Sequence, residues 1–377
     1  MRVVMLPALL FALASPFFVT PSRAEMVGKT TLPEPQASWV MMTGSDSSYI
    51  FDAADGEMKG LISHSVFTPA IVTLPARKEA YLVDSYYSRG VQGARSDVLT
   101  VVDMRDLTTK AEIEIPSKAA ALRLRQHIGL LEDGRHVVTF NMTPAQSVSV
   151  VDVVDRKFRG EISTPGCAII MPAGPRGFLM LCGDGTLQLI TLDKNGKEAE
   201  RVRSDSFFDV EKDPVYDRVV RSKGGWMLIT HDGLVREVGV DGNRIRVGDA
   251  WSMLNDEDKE DGNKKEQWRP GGDQPFTVHR DTSLLYSLMH KGKVDTPDAE
   301  GTEIWVFDTN RRKRVARLVL PVTATSILSS QEQSPRLYVY DKDKKLQIYD
   351  GRQLKPVRTI DKIGINYPLL QTLTEND

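Results

Sequence analysis

"LTVVDMRDLTTKAEIEI", residues Leu99–Ile115, decides the fold of this chain. The stretch consists of a short run of β-forming residues that ends in Asp103, then a polar turn, then a second strand-like run. An Asp at the start of a turn can accept a hydrogen bond from a backbone N–H two residues further on. The stretch therefore predicts a β-hairpin with an aspartate at its corner, which is a folding role and not a catalytic one.

The same pattern occurs seven times along the chain. Successive aspartates lie 41 to 51 residues apart, except for one gap of 67 that marks an insertion. Repeats of this length with several short strands are typical of a propeller, in which units stack around a central axis. We therefore predict an all-β fold, a seven-bladed β-propeller whose C-terminal strands complete the first blade. The seven aspartates, each between the third and fourth strands of a blade, are Asp52, Asp103, Asp152, Asp193, Asp241, Asp308 and Asp350.

The first 24 residues have the features of a secretory signal. Arg2 is followed by an apolar run, and Ser22-Arg23-Ala24 supplies small residues at the spacing of a cleavage site. We expect cleavage after Ala24, a propeller domain over residues 25–377, and an exported, periplasmic protein. The formal charge of −2 becomes −4 without this segment. That balance does not indicate binding to nucleic acid or to an anionic membrane surface.

Two cysteines, Cys167 and Cys182, flank the segment "CAIIMPAGPRGFLMLC". The turn signal "AGPR" lies at its midpoint, so a hairpin folded there places the cysteines opposite each other. Thiols pair in an oxidising compartment, and the CxxC spacing of redox-active pairs is missing. A structural disulfide is therefore the preferred prediction, with a redox-active pair as the weaker alternative.

Two segments are longer than a blade requires. Residues 253–274, "MLNDEDKEDGNKKEQWRPGGDQ", are predicted to form a solvated charged loop, with a short helix as an option. Their "RPGGDQ" lacks the Lys-Ser/Thr of a phosphate loop, so we predict an inter-strand loop that enters a blade strand. Trp268 and Arg269 are predicted to pack or hydrogen-bond at a subunit face. Residues Tyr86–Asp97 are predicted to form a hairpin excursion between two strands of one blade.

The residues show no self-sufficient catalytic constellation. The six histidines lack metal-ligand spacing, and neither a nucleophile elbow nor a Walker loop is present. The residues alone thus predict a scaffold, with no catalytic, cofactor-binding or metal-binding residues in this chain.

Several ordered segments resemble the heavy (large) subunit of the quinoprotein amine dehydrogenases. They include "QWRPGG" with His279-Arg280, "YYSRGVQGARSDVLTVVD", "TPAQSVSVVDV" and "PGCAIIMPAGPRGFLMLCGDGTL". The segments "WSMLNDEDK" and "EIWVFDTNRRKRVARL" look closer to the aromatic (aralkyl) amine dehydrogenases than to methylamine dehydrogenase. The resemblance covers residues from about 48 to 360.

The resemblance implies a periplasmic heterotetramer of two heavy and two light subunits. In that family the light subunit carries a tryptophan tryptophylquinone cofactor made from its own side chains. The quinone oxidises a primary amine to aldehyde and ammonia, and a small blue copper protein accepts the electrons. The heavy subunit is then a seven-bladed propeller without a catalytic centre of its own.

One heavy-chain residue is implied to shape the substrate channel. The family pattern places a Phe 22 residues before the position of Arg89, which is Phe67 in "SHSVFTPAIV". The loop before it is one residue longer than in the family. The alternative is that Phe67 belongs to the core of a blade. The alternative function, from another class, is a stand-alone exported propeller that binds a ligand or a protein.

Overall fold

The computed structural model describes residues 31–374, with gaps at 68–69, 117–118, 121, 123, 143–144, 260–265, 294–295 and 362. The predicted signal peptide lies outside the described residues. The chain divides into Met1–Thr31 and a compact unit, Leu32–Asp377, to which the description below applies. The described part of this unit is β-structure apart from two 3₁₀ turns, Pro75–Arg77 and Arg125–His127, and helix α1, Asp256–Lys259. No helix in these ranges is long and apolar enough to cross a membrane.

The strands run through the whole compact unit. The first eleven are β1 (Trp39–Thr43), β2 (Ser47–Asp52), β3 (Met58–Ser63), β4 (Ile71–Leu74), β5 (Glu79–Arg89), β6 (Gln92–Asp103), β7 (Thr108–Ile115), β8 (Ile128–Leu130), β9 (His136–Asn141), β10 (Ser147–Asp152) and β11 (Lys157–Ser163). The next nine are β12 (Cys167–Pro172), β13 (Gly177–Cys182), β14 (Leu187–Leu192), β15 (Glu198–Arg203), β16 (Val220–Ser222), β17 (Gly225–Ile229), β18 (Leu234–Asp241), β19 (Arg244–Val247) and β20 (Trp251–Ser252). The last nine are β21 (Gln267–Pro270), β22 (Phe276–His279), β23 (Leu284–Gly292), β24 (Gly301–Asp308), β25 (Lys313–Ser329), β26 (Arg336–Asp341), β27 (Leu346–Asp350), β28 (Pro356–Ile360) and β29 (Leu369–Thr372).

These strands form antiparallel sheets that follow one another in chain order. Sheet 1 has the order β29-β1-β2-β3, and sheets 2, 3 and 4 are β4–β7, β8–β11 and β12–β15. Sheet 5 is β16–β19 with β20 added on β18, and sheet 6 runs from β21 and β22 through β23 to β28. The C-terminal β29 pairs with β1, with Leu369 opposite Thr43 and Thr372 opposite Val40. The last strand thus closes a ring of sheets, as predicted, and the fold is an all-β propeller.

The sequence predicts seven separate blades, whereas hydrogen bonding gives six sheets. The difference arises in sheet 6, where β25 is one continuous strand of 17 residues. Its first half pairs with β24 from Lys313 to Val319, and its second half pairs with β26 from Ala324 to Ser329. Apart from Pro321, no turn residue separates the outer strand of one unit from the inner strand of the next, so the two units share a strand.

Hydrophobic clusters lie between successive sheets. Tyr81 and Leu99 of sheet 2 pack with Val137 of sheet 3, and equivalent clusters join the other neighbouring sheets. A further cluster joins the two halves of sheet 6, with Ile304 packed against Leu337 and its neighbours. Each sheet therefore buries its two faces against its neighbours around the ring, which is why no single unit could be stable alone.

The aspartate corners form largely as predicted. A backbone N–H two residues on donates to Asp52, Asp103, Asp152, Asp193 and Asp350 at 2.8–3.0 Å. Asp308 instead accepts from the N–H of Arg311, three residues on. The prediction is wrong at Asp241. Among the described hydrogen bonds none is donated by a backbone N–H to its side chain, and Asp241 pairs directly with Arg244 across the hairpin. The turn there has only two residues, and Gly242 (φ 58°) supplies its left-handed conformation.

The antiparallel strands give the ring two different ends. The turns between third and fourth strands, with the seven aspartates, form what we call the Asp-turn end. The segments that connect one sheet to the next, after β3, β7, β11, β15, β19 and β28, lie at the opposite end, which we call the connection face. The loops β5–β6 and β9–β10 also reach the connection face, since they join second to third strands.

Candidate functional site

Phe67 lies on the connection face, in the segment between β3 and β4. This segment is anchored by Asp84, a buried residue of β5 that accepts from the N–H of Ser65 at 2.7 Å and from the hydroxyl of Thr100 at 2.6 Å. The hydroxyl oxygen of Ser65 in turn accepts from the N–H groups of Phe67 and Ser85, both at 3.2 Å. A buried carboxylate and one serine therefore hold the backbone on which the phenyl ring is mounted.

The Phe67 ring is half-buried and packs edge-on against Tyr87, with 5.4 Å between ring centroids. It belongs to none of the hydrophobic clusters between the sheets. These contacts do not favour the alternative that Phe67 belongs to the core of a blade. An aromatic pair at the rim of the ring offers a rigid apolar wall to a molecule approaching this end.

Tyr87 belongs to the predicted hairpin excursion, which is the upper half of strands β5 and β6. Arg95 fastens its base by donating to both oxygens of Asp97 at 2.8 and 2.9 Å and to the carbonyl oxygen of Ala119 at 2.7 Å. The N–H of Ala119 donates back to Asp97 at 2.8 Å. The hairpin is therefore tied to the connection that leads into sheet 3, and Tyr87 is held beside Phe67.

The cysteine prediction is confirmed. Cys167 and Cys182 lie directly opposite each other on β12 and β13 and form a disulfide. A β-bulge at Ile169 (φ 67°) shifts the register between them and the turn. Because both cysteines are buried at the connection-face end of these strands, the bridge pins this end of sheet 4.

A shallow apolar bowl of about 400 Å³ opens beside the disulfide. Its walls come from the connections around sheets 3 to 5, and aliphatic, aromatic and sulfur atoms predominate. Side chains in its lining include Leu122, Leu124, His127, Phe140, Met142, Cys167, Cys182, Phe208 and Val210. Two of them, Leu122 and Met142, are 51% and 43% exposed.

His127 contributes a neutral ring to this bowl. Burial lowers the pKa of His127 to about 4, so the imidazole is uncharged at neutral pH. Its Nδ1 lies 3.1 Å from the carbonyl oxygen of Leu122, and since a carbonyl only accepts, Nδ1 carries the hydrogen. The ring stacks on Phe140 at 5.3 Å. His127 is therefore a satisfied, apolar-facing histidine and not a proton donor to a ligand.

The "QWRPGG" prediction is partly wrong. Gln267–Pro270 is not a loop but strand β21, which pairs with His290–Gly292 of β23. Arg269 is buried, pairs with Asp232 and donates to the carbonyl oxygen of Gly292. Its guanidinium is thus bonded to partners within this chain, as a buried charge requires. The segment that enters β22 after Gly271-Gly272 agrees with the prediction.

Trp268 packs within the chain as well. Its ring lies 5.2 Å from that of Trp305, and the Arg317 guanidinium stands over both rings at 5.2 and 4.8 Å. Arg317 also forms a bidentate pair with Glu303, at 2.9 Å for each bond. Cation–π contacts and ion pairing hold this stack against sheet 6.

Among the described residues, no group of three or more His, Cys, Asp or Glu side chains is placed to hold an ion. His279, for example, is buried and bonded to the Thr282 hydroxyl at 2.6 Å and the Glu332 carbonyl oxygen at 2.9 Å. The distinctive features of the molecule are thus the apolar connection face and its anchored Phe67.

The family model described as "Methylamine dehydrogenase heavy chain (MADH)" matches residues 37–374. The chain belongs to the methylamine dehydrogenase heavy chain family. The heavy chain of Methylophilus methylotrophus is 25% identical over 320 residues, covering 84% of this chain and 77% of the relative. The heavy chain of Paracoccus versutus is 23% identical over 329 residues, covering 86% and 75%. The resemblance found in the sequence motifs is thereby confirmed at the level of the family.

Solved structures agree on the fold. A putative 6-phosphogluconolactonase from Bacteroides fragilis superposes with a TM-score of 0.59 at 12% identity, covering 89% of this chain and 98% of the other. The β-propeller domain of Cps50 from Myceliophteria thermophila gives a TM-score of 0.54 at 9% identity, covering 84% and 93%. Identities this low support the propeller fold and not a shared activity.

Sequence reasoning missed the residues that shape the connection face. Asp84, Tyr87 and Leu122 lie far apart in sequence from Phe67 or on different connections, and no local motif marks them. A weak signal was available at Asp84, since a carboxylate inside the apolar run "AYLVDSYY" requires buried donors.

Proposed function

We propose that this chain is the heavy subunit of a periplasmic amine dehydrogenase that oxidises primary amines to aldehyde and ammonia. The family match over residues 37–374 carries this proposal. We further propose that it assembles as two heavy and two light subunits. The light subunit supplies the amine-oxidising chemistry through its tryptophan tryptophylquinone, and a blue copper protein accepts the electrons. The residues of this chain scaffold the partner and shape access to it.

We place the light subunit on the connection face. Six of the exposed large apolar side chains project from this end, with exposed fractions between 43% and 66%: Val66, Tyr86, Val91, Leu122, Met142 and Tyr367. Apolar side chains grouped at one end of a molecule mark interaction surfaces, and the buried centre of an interface is depleted in charge. The apolar bowl beside the disulfide would accept a side chain of the partner.

Phe67 is the proposed wall of the substrate channel at this interface. Its position on the connection face and its anchoring through Ser65 and Asp84 support the role. An aromatic ring fixed from below restricts the size of an amine at little cost in entropy.

We propose an aromatic amine as the substrate class. The support is the motif resemblance of "WSMLNDEDK" and "EIWVFDTNRRKRVARL" to aralkyl amine dehydrogenases. A reconstituted complex should have a higher kcat/KM for 2-phenylethylamine than for methylamine. The reverse order would refute the substrate class without touching the family.

We also propose that the propeller has seven blades. When β25 is divided near residues 320–323, where it pairs with neither neighbour, the second half of sheet 6 has four strands. The first half has the four strands β22, β23, β24 and the start of β25, with β21 added on β23. The cluster between these halves resembles those between separate sheets. Exported as a propeller domain over residues 25–377, the chain would then begin and end within the same blade.

Coexpression with an affinity-tagged light subunit tests the function. The two chains should copurify, and amine-dependent dye reduction should require both. The heavy chain alone should show neither turnover nor quinone absorbance. A heavy chain that stays monomeric beside a mature light subunit would favour the second candidate, a stand-alone propeller that binds a ligand or protein.

A further inference from the structure

A cavity of about 360 Å³ lies between sheets 5 and 6, at the Asp-turn end of the ring. Three turns surround it: the β16–β17 turn at Lys223, the β22–β23 turn at Arg280 to Ser283, and the β24–β25 turn at Thr309 to Arg312. It is therefore on the opposite end of the molecule from Phe67, and its chemistry is independent of the proposed amine oxidation.

The rim of this cavity is cationic. Four basic side chains line it, Lys223, Arg246, Arg280 and Arg312, against two acidic ones, Glu237 and Asp249. The lining thus has a formal charge of +2 in a chain whose own net charge is −2. A concave surface with one sign of charge concentrates ions of the opposite sign.

One of the two acids is already engaged by the protein. Glu237 accepts from the Ser222 hydroxyl at 2.5 Å and from the N–H of Gly224 at 3.1 Å. Arg246 reaches across to the carbonyl oxygen of Gly224 at 2.5 Å, which holds its guanidinium at the mouth. The carboxylate of Glu237 therefore shapes the turn, and the basic groups outnumber the one remaining acid.

The floor of the cavity is apolar. Met227, Val235 and Val278 are buried beneath it, and the half-buried Trp251 forms one wall, where its ring is 5.7 Å from that of Phe307. The three buried residues belong to the hydrophobic cluster between sheets 5 and 6, and Trp251, which packs against that cluster, lines the cavity. A ligand that fits must therefore combine an anionic group for the rim with an apolar body for the floor.

We propose that this cavity binds a small organic anion in which an oxyanion group, such as a carboxylate, is attached to an apolar ring. The oxyanion accepts hydrogen bonds from Lys223 and Arg312 at the rim, and the ring packs on Trp251 and Val278. The volume accommodates a molecule the size of an arylalkyl carboxylate.

Calorimetric titration of the purified, intact protein with phenylacetate tests the proposal, with 2-phenylethanol and inorganic phosphate as comparison probes. Phenylacetate should bind at low ionic strength, and both comparison probes should bind at least about 10-fold more weakly, since each lacks one of the two required parts. Equal binding of 2-phenylethanol would overturn the anionic requirement. Equal binding of phosphate would overturn the apolar one, and no binding of phenylacetate would overturn the site.

Matched variants locate the binding. Lys223→Gln/Arg312→Gln removes two charges from the rim and should weaken phenylacetate binding about 10-fold or more. Arg244→Gln/Arg311→Gln removes two charges near the cavity from side chains that do not line it, and should leave the affinity within about twofold. Thermal melts should show both double variants folded. Equal losses in the two double variants would show that only the general charge of this end matters, and would sink the proposal.

Discussion

At the scale of single residues, the position of the Phe67 ring is set by contacts with residues of other strands and loops. Its ring direction depends on Ser65, Asp84 and Tyr87, which belong to different strands and loops. The sequence identified Phe67 only through its resemblance to a family, because nothing in "SHSVFTPAIV" distinguishes a channel wall from a core residue.

Replacing Phe67 with Ala should widen the proposed substrate channel. A methylene more or less in an apolar pocket changes discrimination by about 10–200-fold, so the ratio of kcat/KM between bulky and short amines should shift by that order. The heavy chain should still fold, because Phe67 lies outside the hydrophobic clusters between the sheets. Phe158→Ala, which removes a ring packed against the core between sheets 2 and 3, is the control and should lower stability without altering amine preference. An unchanged preference in Phe67→Ala would place the gate elsewhere.

His127 should make stability depend on pH. The pKa of His127 is about 4 in the folded chain and 6.5 when the ring is exposed, so the unfolded state binds more protons between these values. The contribution of His127 to the free energy of unfolding, about 3 kcal/mol, is fully present above pH 6.5 and is lost as the pH falls toward 4. Denaturant melts from pH 7 to 4.5 should show a flatter loss for His127→Asn than for the wild type. If stability fell equally steeply with pH in His127→Asn and in the wild type, the ring of His127 would not be neutral and buried. The control variant is His64→Asn, because His64 is half-buried on the same face.

At the scale of elements, the hairpins were the most predictable part of the molecule. Aspartate corners and the cysteine hairpin depend on residues a few positions apart, and short-range chemistry decides them. Two predictions failed for reasons that are visible in the sequence. The turn after Asp241 has only two residues, including Gly242, and β25 contains no turn signal except Pro321. The strand β21 was not predictable, because its pairing with β23 joins residues that are 19 to 25 positions apart in the sequence.

The disulfide should stabilise the hairpin β12–β13 and the apolar bowl above it. Removing a crosslink that closes a loop of 15 residues costs about 3 kcal/mol in the chain-entropy model. The double variant Cys167→Ser/Cys182→Ser should therefore unfold at a lower denaturant concentration, and its free energy of unfolding should be lower by this amount. Adding reductant to the wild type should reproduce the loss, and reductant should leave the double variant unchanged. Equal midpoints for wild type and variant would show that the bridge adds nothing beyond the strand pairing.

The shared strand β25 should couple the two halves of sheet 6. The first half of β25 pairs with β24 and the second half with β26, so one strand joins the two halves of sheet 6 and we expect them to open together. Native-state hydrogen exchange at increasing denaturant should give β23–β24 and β26–β27 the same opening free energy. Two distinct opening steps would show that residues 320–323 act as a hinge between independent blades.

At the scale of the whole molecule, the ring depends on β29. Leu369, Leu370 and Leu373 are buried, and Gln274 ties β29 to sheet 6 by donating to the Leu370 carbonyl oxygen at 3.1 Å and accepting from its N–H at 3.0 Å. Truncation after Asn366 should lower the free energy of unfolding by about 6 kcal/mol, at about 2 kcal/mol for each of the three buried leucines. A truncation after Thr374, which keeps β29, should behave as the wild type. A truncated ring with wild-type stability would show that closure is not needed.

Closure by the last strand also governs when the protein can be finished. Ribosomes produce β1 near the start and β29 some 330 residues later, so the inner edge of β1 has no partner for nearly the whole of synthesis. An unpaired edge with buried-type residues such as Met41 and Met42 is a template for wrong pairing between nascent chains. A chain that lacks β29 is therefore expected to aggregate more readily during refolding than the complete chain, and light scattering from the two refolding samples would show the difference.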